Sequence, residues 1–114
     1  MGHFISASCT CGYSNEHLSI GGGMLTFTTV CDHPAYCAAG RHVVAVNLME
    51  QPITCPEGCA GTPLPYCKTP SLQIKRGKGL VSDWDGLKIN TGLYKCPRCE
   101  AYSLQFHEKH AYFD

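Results

Sequence analysis

Tyr94-Lys95-Cys96-Pro97-Arg98-Cys99-Glu100 is the stretch from which the rest of the chain is best read. Two cysteines three positions apart fit one tight turn, and the proline after the first presets the turn backbone. Such a turn supplies half of a tetrahedral shell of soft ligands at about 2.3 Å from a zinc ion. The chain must then bring up a second turn of the same kind. Three further close pairs are available: Cys9-Thr10-Cys11, Cys31 with Cys37, and Cys55-Pro56-Glu57-Gly58-Cys59. Cys67 is left over.

Composition points the same way. The chain has 114 residues, of which 44% are hydrophobic and only 16% charged, too few charges for a disordered chain. Lys+Arg and Asp+Glu are both 9, so there is no global basic footprint for nucleic acid. Nine cysteines in so short a chain approach the level at which crosslinks or metals carry a fold. No export signal is visible, and no apolar run approaches the ~18–20 residues of a membrane span. The expected compartment is therefore cytoplasmic, where cysteine-rich chains are more often metal proteins than disulfide scaffolds.

The expected metal ligands are Cys9, Cys11, Cys31, Cys37, Cys55, Cys59, Cys96 and Cys99, with Zn2+ as cofactor. Two ions are expected, or one if a site is degraded. Cys11 and Cys31 are separated by the interval usual for paired knuckles, whereas Cys59 and Cys96 stand further apart. Sequential pairing is favoured: Cys9, Cys11, Cys31 and Cys37 on one ion, and Cys55, Cys59, Cys96 and Cys99 on the other. Nested pairing (first knuckle with fourth, second with third) and crossed pairing stay open. The second knuckle is the weakest, and His33 or His42 is a candidate to replace a cysteine there. Cys67 is a candidate to do the same for the third.

Cys11-Gly12-Tyr13, Gly21-Gly22-Gly23-Met24, a cysteine pair followed by Val43-Val44, a Cys-Pro knuckle and a final Cys-Pro-x-Cys together carry a resemblance. The chain resembles uncharacterised bacterial zinc-ribbon proteins with four cysteine knuckles, over most of its length. The final knuckle is also similar to a rubredoxin half-site, although Glu100 stands where that motif usually has glycine. The resemblance implies metal binding and is silent on function.

The apolar stretches are short and bounded by Gly, Pro, Asn or Asp, which reads as an all-β chain of zinc-ribbon-type hairpins with little or no helix. Leu25–Val30 and His42–Leu48 are the best strands, being rich in β-branched residues. Ser71–Ile74, Leu87–Ile89 and Tyr102–Phe106 are shorter ones. Lys75-Arg76-Gly77-Lys78-Gly79 reads as a solvated hairpin loop and Asn90-Thr91-Gly92 as a turn. Residues 1–114 are expected to form one compact unit, or two packed ribbons at about 1–50 and 51–114.

Closed four-ligand sites leave no position for a substrate, so the expectation is not an enzyme but a zinc-binding module for a protein partner. One alternative is a nucleic-acid-binding ribbon that uses Lys75, Arg76 and Lys78 on phosphates. Another is a rubredoxin-like iron protein that transfers electrons. The sequence does not fix the oligomeric state.

Overall fold

The computed structural model describes residues 2–22, 29–50, 52–84 and 86–113. The fold is all-β, with two antiparallel sheets and, among the described residues, no α-helix. The strands are β1 (Gly2–Cys9), β2 (Ser14–Ile20), β3 (Asp32–Cys37), β4 (His42–Asn47), β5 (Leu64–Pro65), β6 (Gln73–Trp84), β7 (Leu87–Lys95) and β8 (Tyr102–Phe113). The larger sheet runs in the order β2-β1-β8-β7-β6, and the smaller in the order β4-β3-β5.

The pairing of β1 with β8 organises the molecule. Their register runs from Gly2 opposite Phe113 to Cys9 opposite Leu104, so two ends of the described chain lie side by side. Ile5 and Ala7 alternate inward from β1 and meet Leu18, Ile20, Ile89 and Leu104 from the neighbouring strands. Tyr66, Tyr94 and Phe106 close this core edge to face, with ring centroids 5.0 to 5.5 Å apart. The smaller sheet builds a second core from Ala35, Val44, Val46 and Leu48, with Cys37 and Cys55 buried at one end. Each aliphatic side chain so removed from water contributes about 1.5–3 kcal/mol.

Several local expectations are corrected. Lys75 to Gly79 is not a hairpin loop; it lies within β6. Its register against β7 slips between Arg76 and Leu80, so the run is a wide bulge. A Cβ on Gly77 would collide with Thr91, so glycine lets the two strands close there. Gly79 N–H donates to Thr91 Oγ1 at 3.0 Å across the bulge. Asn90-Thr91-Gly92 is likewise inside β7 rather than a turn. The hairpin turns instead at Gly86, whose N–H donates to Asp83 Oδ1 at 3.1 Å. Ser71 and Leu72 belong to a 3-10 turn (Pro70–Leu72), and the strand starts at Gln73. Of the expected strand Leu25–Val30, residues 25–28 lie outside the described residues, and Thr29 and Val30 are not in a strand.

Candidate metal centres

Two hairpin tips meet at the same end of the larger sheet. Cys9 ends β1, and Cys11 lies in the turn to β2. Cys96 follows β7, and Cys99 lies in the turn to β8. The β1–β8 register carries both tips to one place. Each tip is a hydrogen-bonded knuckle. Gly12 N–H donates to Cys9 O at 3.0 Å, and Glu100 N–H donates to Cys96 O at 2.8 Å. The residue after each second cysteine has positive φ: 100° at Gly12 and 62° at Glu100. Glutamate thus occupies a left-handed position that glycine would take without strain.

Cys9, Cys11, Cys96 and Cys99 form one group, with all four sulfurs within 4.8 Å of one another. Cys9 Sγ is 3.7 Å from Cys99 Sγ, and Cys11 Sγ is 3.9 Å from Cys96 Sγ. A tetrahedral ion with bonds of about 2.3 Å sets its sulfurs about 3.8 Å apart. The residues therefore fit a tetrahedral metal.

The second group comprises Cys37, His42, Cys55 and Cys59, again within 4.8 Å. Cys37 and His42 face each other as the closing pair of the β3–β4 hairpin. Arg41 turns the chain with a φ of 54°. A Cβ on Gly40 would collide with His42 Nε2 and approach Cys59 Sγ at 2.6 Å, so only glycine lets this loop lie against the site. The third knuckle supplies Cys55 and Cys59, held by Gly58 N–H donating to Cys55 O at 3.0 Å. His42 Nε2 is 3.5 Å from Cys55 Sγ and 3.7 Å from Cys59 Sγ. A tetrahedral ion bound at about 2.0–2.1 Å by nitrogen and 2.3 Å by sulfur requires about 3.6 Å.

The thiols are electrostatically uneven. Burial raises Cys9, but hydrogen bonds from the Cys11 backbone, Ser103 and the neighbouring thiols outweigh it and bring it down to about 6. The Ser103 hydroxyl is 3.0 Å away. Burial pushes Cys96 up to about 12, and the Cys9 and Cys99 thiols add to the rise. In the second group, burial also acts against Cys55, yet backbone amides around the Cys59 knuckle and the His42 ring bring it to about 7. Cys59 rises to about 11 through desolvation and the adjacent Cys55 and Cys37. In both groups one thiolate forms readily while another is opposed by burial and by its neighbours. A divalent cation removes that opposition.

The pairing is thus nested, and the sequential arrangement is corrected. The physical reason is the closure of β1 on β8, which joins the first knuckle to the fourth and leaves the second to meet the third. Both groups draw ligands from each side of residue 50. Cys31 lies outside both. It precedes β3, its N–H donates to Asn47 Oδ1 at 2.9 Å, and it packs against the second core. His42, one of the two candidates to replace a cysteine at the second knuckle, joins the second group. His33 is fully buried in β3, and neither ring nitrogen has a hydrogen-bond partner among the described residues. Burial, with the charges of His3 and Lys68, lowers it to about 4, so it is neutral packing. Cys67 sits in a 3-10 turn (Tyr66–Lys68) against both cores, and burial raises its thiol to about 11.

Residues flanking the two groups contact one another. Tyr13, two residues after Cys11, accepts a hydrogen bond from Val43 N–H at 2.7 Å, beside His42. Arg98 lies over the Tyr13 ring at 5.0 Å, and Arg41 donates to Arg98 O. No helix among the described residues is long and apolar enough to cross a membrane. Comparison with protein-family models, with curated proteins and with solved structures finds no match.

Proposed function

We propose that the chain is a zinc-binding, non-catalytic module whose two structural centres hold an all-β frame for a protein partner. The observation that carries this reading is the closure of both groups. Each gathers four side-chain ligands at tetrahedral spacing from two separate turns. Four thiolates, or three with one imidazole, are the usual shells of structural zinc, and neither keeps a position open for substrate. Seven thiolates and one imidazole around two zinc ions give a net charge of about −3, against the −4 that eight thiolates would produce. That balance favours a protein partner over nucleic acid. Lys75, Arg76 and Lys78 lie on β6, an edge strand of the larger sheet, where lysines and bulges serve to block strand addition.

The all-thiolate first group favours one second reading, a rubredoxin-like iron centre. Native mass spectrometry of protein purified under reducing conditions separates the readings, compared with the denatured mass. Two zinc ions with all nine thiols unoxidised are expected. Iron at the first group, with a red, reducible protein, would select electron transfer. A metal-free chain lighter by two hydrogens per bridge would overturn metal binding altogether. The partner is tested by lysine crosslinking in cells. One stoichiometric protein adduct is expected, and its loss when Cys96→Ser disrupts the frame.

A further inference from the structure

A cavity of about 240 Å³ lies between the β6–β7 hairpin and the 3-10 turns that follow β5. It is smaller than the ~300–1,000 Å³ typical of drug-sized ligands, which suits a compact group. Its polar lining is rich in donors. Arg76 comes from β6 and Lys88 from β7, and neither forms an ion pair among the described residues. Asp83, opposite Lys88 in the strand register, turns its Oδ1 to the Gly86 amide instead. Tyr94 is only 2% exposed. Its hydroxyl accepts the Asn90 N–H at 3.1 Å, which leaves its own proton without an acceptor among the described residues. Gln73 spends one amide hydrogen on a long 3.4 Å contact with Lys75 O and keeps the other. No carboxylate of the described residues lines the cavity, and the Cys67 thiol in its wall is held neutral by burial.

We propose that this cavity is an oxyanion site that takes a phosphate group between Arg76 and Lys88, with the Tyr94 hydroxyl donating from the buried side. Arginine presents a planar pair of donors and lysine a point charge, the combination that suits a tetrahedral oxyanion. The site uses no metal ligand and does not depend on the nature of the partner.

The test is a titration of the metal-loaded, 15N-labelled chain with sodium phosphate at constant ionic strength, followed by NMR. Saturable shifts confined to Asn90, Tyr94, Lys88 and the Arg76 side chain are expected. Arg76→Gln with Lys88→Gln should weaken binding at least tenfold with metal content unchanged. Lys75→Gln with Lys78→Gln removes the same charge from the same hairpin outside the cavity and should change affinity less than twofold. Equal losses in the two double variants, or shifts spread over every surface lysine, would overturn the site, as would the absence of saturation. A single-stranded oligonucleotide that displaces phosphate from the same residues would assign the group to nucleic acid. Undisturbed phosphate binding in its presence would assign it to a free phosphate compound. Either result leaves the site standing.

Discussion

The first metal group and the second do the same geometric job on very different lengths of chain. Cys9 and Cys11 meet Cys96 and Cys99 across nearly the whole sequence, whereas Cys37 and His42 meet Cys55 and Cys59 within one hairpin and its following loop. Closing roughly 85 residues rather than roughly 13 costs about 1.7 kcal/mol more in loop entropy. The first group also exposes Cys11 and Cys99, while the second buries Cys37 and Cys55. A metal at the long-range group would tie together the two hairpin tips that β1–β8 pairing brings side by side, and one at the short-range group would pin one corner of the smaller sheet. A ligand set that looks equivalent on paper is not equivalent in what it holds together.

Breaking the first group should have the largest effect. Cys96→Ser removes a fully buried ligand, and structural zinc contributes on the order of 10 kcal/mol to such folds. One ion should be lost, and the dispersed amide spectrum of the larger sheet should collapse. Survival of that sheet with one ion would mean that β1–β8 pairing stands without metal. His42→Ala should release the other ion while leaving the larger sheet intact, a local loss that amide exchange would map to β3 and β4. Cobalt substitution sharpens the contrast, since the charge-transfer bands should report four thiolates at one site and three at the other, and His42→Cys should equalise them.

A smaller effect is expected at His33, whose two ring nitrogens are buried without hydrogen-bond partners among the described residues. Leucine there removes an unsatisfied polar group, worth about 1–3 kcal/mol. The pH dependence has a definite sign. His33 falls to about 4 in the folded chain from 6.5, so its neutral form is the one that is compatible with the fold. Its full contribution is present above pH 6.5 and is lost as pH falls towards 4, by about 3 kcal/mol at most. His3 and Lys68 face it and oppose its protonation. The difference in melting temperature between His33→Leu and the parent should therefore widen below pH 6.5. A difference that stays constant with pH would show that His33 does not titrate in this range. The smallest change is Glu100→Gly, which relieves a left-handed φ of 62° and should stabilise the knuckle by about 1 kcal/mol in denaturant melts.

That cysteines gather into groups able to hold a metal is legible in the sequence, because cysteine pairs advertise their spacing locally. The all-β class was legible for the same local reason, through β-branched runs punctuated by Gly and Pro. His42 was visible as a substitute ligand only because the second knuckle looked incomplete. The choice of His42 over Cys31 was not legible, since it depends on Cys37 and His42 facing one another across β3 and β4. Nested pairing was hidden for a deeper reason. It follows from β1 lying against β8, and no local pattern announces a partner a hundred residues away. The Lys75–Gly79 run misled because glycines that mark a loop in most contexts here build a bulge inside β6.

Nesting also dictates an order of events during synthesis. Every ligand of the inner group has left the peptidyl-transferase centre once Cys59 is added, while Cys9 and Cys11 still await Cys96 and Cys99. At about 5–20 residues per second, the interval between Cys59 and Cys99 lasts roughly 2–8 seconds. Through that interval Cys9 and Cys11 lack the partners of their group, and any ion they capture is bound by half a shell. Cys37, Cys55 and Cys59 belong to the inner group, so its closure as it emerges withholds them from Cys9 and Cys11 and narrows the mistakes the growing chain can make.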